Sequence, residues 1–197
     1  MPAVLRLALL ALLALAAPAF AQSERVRGTI EAADAASITV KTANGPIKVN
    51  LAPNFSVGGV TKAALADVKP GAFIGVGAKP QPDGALRAIQ IFIFPEAMRG
   101  TGEGHRPWAV LPETTMTNAT VADTVTSVNG PLLTLKYKDG EQKVVVPDDA
   151  YFITAAPADK SELKAGAMVT LNATIGADGA LTTTRVSIVK PGTTLPY

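Results

Sequence analysis

Two segments of this 197-residue chain repeat each other: residues 28–96 align with residues 123–191 at a constant offset of 95, without a gap. The clearest match is the run Asp-Gly-Ala-Leu at residues 83–86, which recurs at residues 178–181. Self-similarity on this scale means one structural unit used twice, so a strand or turn predicted in one copy must also suit the other.

Apolar and polar residues alternate over short stretches in both copies, which is typical of β-strands with one buried face. The apolar positions of the first copy include Val26, Ile30, Ile38, Val40, Ile47, Val49, Ile74, Val76, Ile91 and Ile93. The matching positions of the second copy are Val125, Leu133, Leu135, Val144, Val169, Leu171, Val186 and Ile188. This pattern predicts antiparallel strands packed around a core.

Turn residues divide these strands at equivalent places. Asn44-Gly45 and Asp139-Gly140 separate the second and third strands, and both dipeptides suit tight hairpin turns. Asp83-Gly84 and Asp178-Gly179 separate the fourth and fifth strands. Between the third and fourth strands a short helix is predicted, capped by Thr61 in the first copy and by Asp159 in the second.

Three strands, a short helix and two strands form the order of an OB-fold, a partly open five-stranded barrel. The predicted fold is therefore all-β with short helices, as two tandem five-stranded OB-like barrels, one for each repeat. The expected divisions are a first barrel at residues 22–96, an inter-repeat loop at 97–120, a second barrel at 121–191 and a C-terminal tail at 192–197.

The first 21 residues have the pattern of a secretory signal peptide. Arg6 precedes an unbroken Leu/Ala run at residues 7–17, Pro18 ends that run, and Ala19-Phe20-Ala21 fits a signal-peptidase site. The run is shorter than the ~20 residues that a membrane-spanning helix needs. We expect cleavage after Ala21 and a periplasmic or secreted mature protein, with an uncleaved anchor as the alternative. Later apolar runs are too short to add a transmembrane segment.

Composition narrows the possible functions. The sequence contains no cysteine, so disulfides and thiolate chemistry are excluded. The formal net charge is only +2, which is not the strongly basic character of a nucleic-acid partner, and no such partner is expected. Matching lysines occur on the expected exposed strand faces of both copies, and charged side chains there commonly protect sheet edges from aggregation. These pairs are Lys41 with Lys136 and Lys48 with Lys143.

Short motifs connect the chain to a group of bacterial proteins. Residues 68–72 (Val-Lys-Pro-Gly-Ala) and 163–167 (Leu-Lys-Ala-Gly-Ala) resemble a step into a strand found in exported bacterial proteins of unknown function with OB-like domains. Residues 102–108 and 115–119 are similar to a segment of small proteobacterial proteins, some of which are labelled metal ABC transporter permease. The resemblance implies a metal-linked context, whereas a permease requires spanning helices that this sequence lacks.

The inter-repeat loop at residues 97–120 contains the chain's only histidine and only tryptophan. Its glycines and Pro107 predict irregular structure rather than a helix or strand. One interpretation is a ligand-binding loop that uses Glu103, His105, Arg106 and Trp108. A second is a metal site formed by Met98, His105 and Met116 with support from Glu103, a set of ligands that suits copper. A third is structural, with Trp108 packed against a barrel.

A catalytic set is not apparent in the sequence. His105 is the only histidine available to a triad, and no Gly-x-Ser-x-Gly nucleophile motif occurs. We therefore expect a non-enzymatic periplasmic binding or interaction protein without a cofactor, whose partner is a small ligand or an envelope protein near the inter-repeat loop. The alternatives are a metal-binding accessory protein of metal transport and a structural component of the envelope.

Overall fold

The computed structural model describes residues 22–108, 110–127 and 130–195. These residues form twelve β-strands and three short 3-10 helices, which confirms the predicted all-β class. The strands are β1 (Ser23–Ala33), β2 (Ser37–Thr42), β3 (Gly45–Lys62), β4 (Phe73–Pro80), β5 (Leu86–Ile93), β6 (Gly104–Pro107), β7 (Thr115–Ser127), β8 (Gly130–Tyr137), β9 (Gly140–Val145), β10 (Tyr151–Ala156), β11 (Met168–Ile175) and β12 (Leu181–Val189). The helices are Leu65–Asp67, Glu96–Met98 and Lys160–Glu162.

Five strands close into a barrel that we call the first ring. In this ring β1, β2 and β3 pair consecutively in antiparallel fashion, and β1 also pairs with β11. The strand β12 pairs with β11 and runs parallel to β3, which completes the circle. Three strands of the first repeat are thus closed by the last two strands of the second repeat.

Five of the remaining strands form a second ring with the roles of the repeats reversed. Here β7, β8 and β9 come from the second repeat, and β4 and β5 come from the first. A short parallel pairing of β5 with β9 joins the two sets of strands. The strand β10 continues the line of β9 beyond a break, pairs parallel with β5, and pairs antiparallel with β3 of the first ring.

The expectation that each repeat closes on itself, at residues 22–96 and 121–191, is therefore corrected. The registers show the exchange directly: Leu181 pairs with Val49 in the first ring, and Leu86 pairs with Val144 in the second. These are the same two repeat positions with the copies interchanged. Because both copies carry equivalent fourth and fifth strands, the alternation of apolar residues fits either partner and cannot specify which one closes the ring.

The first strand of the second repeat also departs from the constant offset of 95. Val121 pairs with Leu135, whereas its structural counterpart Ile30 pairs with Val40, so β7 follows β1 at an offset of 91. The hairpin between β7 and β8 is correspondingly longer. As a result Val121 is buried at 1% exposure, and Val125, which the sequence places in the core, is 52% exposed.

Three apolar clusters hold the fold together. One fills the first ring and includes Val26, Ile38, Val49, Val169 and Val186. Another fills the second ring and includes Ile74, Ile91, Val121, Leu133 and Val144. A smaller cluster, Val60, Ile153, Val189 and Leu195 with Phe92, lies beside β10 and joins strands of both rings. Each ring core contains side chains from both repeats, so burial itself stabilises the exchange.

Local predictions have mixed outcomes. The Asn-Gly and Asp-Gly turns occupy the expected hairpins, and Asp159 caps the helix Lys160–Glu162 by accepting from the backbone N–H of Ser161. Thr61 does not cap a helix, because β3 continues through it and the next helix begins after Ala64. The stretch 97–120 is not a plain loop, since it contains β6 and the start of β7.

None of the helices formed by the described residues is long and apolar enough to cross a bilayer.

The four-residue shift of β7 can be tested with a matched pair of substitutions. We expect Val121→Ala to lower the free energy of unfolding by about 2 kcal/mol, because it removes buried methyl groups and leaves a cavity. Val125→Ala changes an exposed side chain and should stay within about 0.5 kcal/mol of the parent. Urea unfolding measures both, and the opposite ranking would restore the offset of 95.

Candidate functional site

The described part of the inter-repeat segment, residues 97–108 and 110–114, lies on the outside of the second ring. Its strand β6 pairs with β7, with His105 opposite Thr117 and Arg106 opposite Met116. The pairing continues beyond β6, because the backbone N–H of Trp108 donates to the carbonyl of Thr114 at 2.9 Å. The segment therefore extends the sheet beside β7 rather than projecting from the protein.

Trp108 anchors this segment against β4. The residue is only 8% exposed, and a Cβ built on Gly77 would lie 2.5 Å from the indole ring. That distance is far below ordinary van der Waals contact, so the indole fits only because position 77 has no side chain. The neighbouring outward position, Gly75, is likewise closely covered by the side chains of Asn118 and Phe94. The packing role predicted for Trp108 is the one that the geometry supports.

His105 faces the open end of the second ring. Its Nδ1 lies 2.8 Å from the hydroxyl of Thr117, a fully buried residue on the inward side of β7. Burial lowers the pKa of His105 below its ordinary value, which favours the neutral imidazole at neutral pH. Protonation would therefore weaken the fold as the pH falls through and below the ordinary pKa of histidine.

The other residues predicted to bind a ligand or metal here, which are Met116, Glu103 and Arg106, do not converge on His105. Met116 lies opposite Arg106, one position from the His105–Thr117 pair, so alternation puts the side chains of His105 and Met116 on opposite faces of the strands. Glu103 accepts from the backbone N–H of Lys138 at 3.1 Å, and Arg106 donates to the carbonyl of Gly102 at 2.7 Å.

Met98 begins the turn that follows its short helix. Its carbonyl accepts from both the backbone N–H and the hydroxyl of Thr101, so these contacts involve the backbone of Met98 and not its thioether. No group of three or more His, Cys, Asp or Glu residues among the described residues is arranged to hold a metal ion. The geometry does not assemble Met98, His105 and Met116 around one point.

A different set of residues lines the outside of the first ring. The apolar side chains of β1, β11 and β12 point into the ring, and alternation directs Arg25, Arg27 and Arg185 outward. A cleft of about 330 Å³ lies over these three strands. Its lining contains no carboxylate and consists of Arg25, Thr170, Leu171, Asn172, Thr184, Arg185 and Ser187. We call this surface the arginine wall.

The electrostatics of the arginine wall favour an anion. Among the described residues, Arg25 and Arg185 form no ion pair with a carboxylate. Desolvation lowers the pKa of Arg25, and the positive charge of Arg27 lowers it further, although both side chains remain cationic. Arg27 also donates to the carbonyl of Leu195 in the C-terminal tail. Guanidinium groups are suited to donate paired hydrogen bonds to carboxylate or phosphate oxygens, and hydroxyl and amide groups lie beside them here.

The equivalent surface of the second ring has uncharged residues at the positions of these arginines. The strand β7 aligns with β1 at an offset of 91, and β12 aligns with β5 at an offset of 95. In this alignment Arg25, Arg27 and Arg185 of the first ring correspond to Met116, Asn118 and Gln90 of the second. The positions of Thr170 and Asn172 correspond to Gly75, which Asn118 and Phe94 cover, and to Gly77, which lies beneath Trp108. In contrast, the lysine pairs 41/136 and 48/143 are the same in both copies. The arginines therefore distinguish one wall from the other.

The sequence contained a signal for the arginine wall. A comparison of outward positions between the repeats shows arginine where the other copy has an uncharged residue. For Arg185 this comparison works at an offset of 95 and gives Gln90. For Arg25 and Arg27 the observed register gives Met116 and Asn118, and an offset of 95 would give Thr120 and Ala122, which are also uncharged.

Known proteins add one comparison. Residues 27–91 match a family model described as "Domain of unknown function (DUF5666)", which covers about a third of the chain. No curated protein matches the chain, and no solved structure matches it. The matched segment runs from β1 to β5 and so corresponds to one repeat, although the structure distributes its strands between both rings.

The anchoring role of Trp108 predicts a specific coupling. We expect Gly77→Ala to displace the indole, lower the free energy of unfolding by about 1–3 kcal/mol and shift the emission of this single tryptophan to longer wavelength. In a Trp108→Ala background the same change should cost much less, because the obstructed ring is gone.

Gly140→Ala is the matched control, since its Cβ would approach only the side chain of Tyr137. It should leave the tryptophan emission unchanged. Equal costs of Gly77→Ala in both backgrounds, measured by urea unfolding and fluorescence, would contradict the contact.

Proposed function

We propose that this chain is a non-catalytic binding and interaction protein that takes an anionic ligand on the arginine wall of the first ring. The observation that carries the proposal is the difference between two equivalent surfaces of one molecule. At the positions of Arg25, Arg27 and Arg185 the second ring has uncharged residues, which are Met116, Asn118 and Gln90, and Trp108 of the protein's own segment covers Gly77 there. The first ring has the three arginines and a cleft of about 330 Å³.

The chemistry of the wall suits carboxylate or phosphate oxygens. Guanidinium groups donate several hydrogen bonds in a planar arrangement and stay charged at all physiological pH values. Thr170, Asn172 and Ser187 add neutral donors from neighbouring strands. Because these groups stand on a closed ring and not on loops, little ordering is needed when a ligand binds.

The proposed binding site is therefore on the first ring, and not at the inter-repeat segment that the sequence suggested. The contacts of Glu103 and Trp108 hold that segment on the second ring, and Arg106 donates to Gly102 within the segment. Export to the periplasm remains part of the proposal and rests on the pattern of residues 1–21, which lie outside the described residues. A non-catalytic role follows the sequence, whose single histidine bonds a buried threonine.

Calorimetry with citrate and with inorganic phosphate tests the proposal. We expect the parent protein to bind at least one of them, with affinity that falls as salt is added, because the wall is partly exposed to solvent. The double variant Arg25→Gln/Arg185→Gln should lower that affinity at least about tenfold, which corresponds to about 1.4 kcal/mol of binding free energy.

The double variant Lys48→Gln/Lys143→Gln is the control, since it removes the same net charge from outward strand positions that both repeats share. It should change affinity by less than about twofold. Absence of binding by both anions, or an equal loss in the two double variants, would refute the arginine wall as the site.

A further inference from the structure

One stretch of β1 has a strand partner on only one side. Residues 23–29 pair with β11, whereas pairing with β2 begins at Thr29 and continues toward Ala33. In the described part of the chain, residues 23–28 therefore have no strand on the side where β2 would continue. This free edge adjoins the arginine wall, because it belongs to the strand that carries Arg25 and Arg27.

The hydrogen bonds of Ile30 show which residues of β1 direct their backbone N–H and carbonyl groups toward the free edge. The N–H of Ile30 donates to Ala167, and its carbonyl accepts from Gly166, so Ile30 faces β11. Successive residues of a strand direct these groups to alternate sides. Val26 and Gly28 therefore face β11, and the N–H and carbonyl groups of Arg25 and Arg27 face the free edge.

The second ring shows what this edge can hold. Met116 and Asn118 are the counterparts of Arg25 and Arg27, and their edge is occupied by β6 in antiparallel pairing. Arg106 lies opposite Met116, and Gly104 lies opposite Asn118. An extended segment therefore fits beside this part of a ring. In the second ring, β6 lies on the side of β7 where β8 also pairs, beyond the end of β8.

We propose that the free edge of β1 receives an extended, acidic peptide segment of a partner protein, which adds a strand antiparallel to residues 23–28. This inference rests on the proposed function, since the arginine wall supplies the charge that selects the segment. Backbone hydrogen bonds to the edge provide affinity that does not depend on sequence, and side chains on alternate residues provide specificity.

The register of β6 predicts the sequence of the partner. Residues opposite Arg25 and Arg27 lie on the outer face beside the guanidinium groups, where opposite charges on facing positions stabilise a strand pair. The residue between them faces Val26, which replaces Thr117 of the second ring and is 1% exposed. The expected motif is acidic–apolar–acidic, where β6 has Gly-His-Arg.

Unpaired backbone at this edge favours a peptide over an isolated anion or a lipid phosphate. A small anion would engage the guanidinium groups and leave the N–H and carbonyl groups of Arg25 and Arg27 facing solvent. An extended peptide satisfies both sets at once. The two possibilities therefore differ in whether backbone hydrogen bonds contribute to binding.

The experiment compares blocked peptides of the sequence Thr-Glu-Val-Glu-Thr by fluorescence anisotropy with the full-length mature protein. One peptide is N-methylated at both glutamates, whose N–H groups would face the edge, and another only at the central valine, whose N–H would face away. All three carry the same charge. We expect methylation at the glutamates to weaken binding at least about tenfold and methylation at valine to leave it nearly unchanged.

Hydrogen exchange provides a second readout, since the amide protons of Arg25 and Arg27 should exchange more slowly when the unmodified peptide is bound. Arg25→Gln should weaken peptide binding, and Lys143→Gln should not. Equal affinity of all three peptides would overturn strand addition while leaving anion binding intact. If citrate binds and none of the peptides binds, strand addition is likewise overturned and anion binding stands. If neither citrate nor any peptide binds, both proposals are overturned.

Discussion

The parallel pairing of the third strand of one repeat with the fifth strand of the other is the interaction on which the structure depends. It closes the first ring between β3 and β12 and the second between β9 and β5, at equivalent positions. Without it, each set of three strands would be an open meander with an exposed apolar face. Closure buries that face against residues supplied by the other repeat, so the two halves stabilise each other through their cores.

Exchange also means that the surface of each ring is built from both repeats. Each ring wall combines β1 or β7 with the fourth and fifth strands of the other repeat, so its residues come from distant parts of the chain. Arg25 and Arg185 lie 160 positions apart in sequence but line one cleft. The corresponding wall of the second ring instead has glycines and a tryptophan in contact. One surface packs against the protein's own segment, and the other carries arginines around a cleft.

Much of the fold can be predicted from the sequence, because alternation and turn chemistry are local. The strands around Ile38, Val49 and Ile91 and the Asp-Gly turns follow from residues close in sequence. The partner of each fourth and fifth strand does not, since Ile91 and Val186 satisfy the same pattern and either would fill either ring. The register of the hairpin after β7 could not be predicted for a related reason. Alternation allows either Val121 or Val125 to face the core, and only the pairing of Val121 with Leu135 shows that Val121 is the buried one.

The candidate site was less predictable than the fold. Rare residues drew attention to His105 and Trp108, yet rarity does not distinguish a ligand from a packing anchor. The arginines are individually ordinary, and their meaning appears only when strands from both repeats are placed side by side.

Strand exchange has a further consequence for how the chain reaches its native state. The first ring needs β1, near the start of the described chain, and β12, which ends at Val189. Neither ring can close from one repeat alone, so contacts of very long sequence separation must form before either core is complete. Such topology slows folding and ties the two rings into one cooperative event. A nascent chain would stay unclosed, with its apolar strand faces accessible, until nearly all of it has emerged.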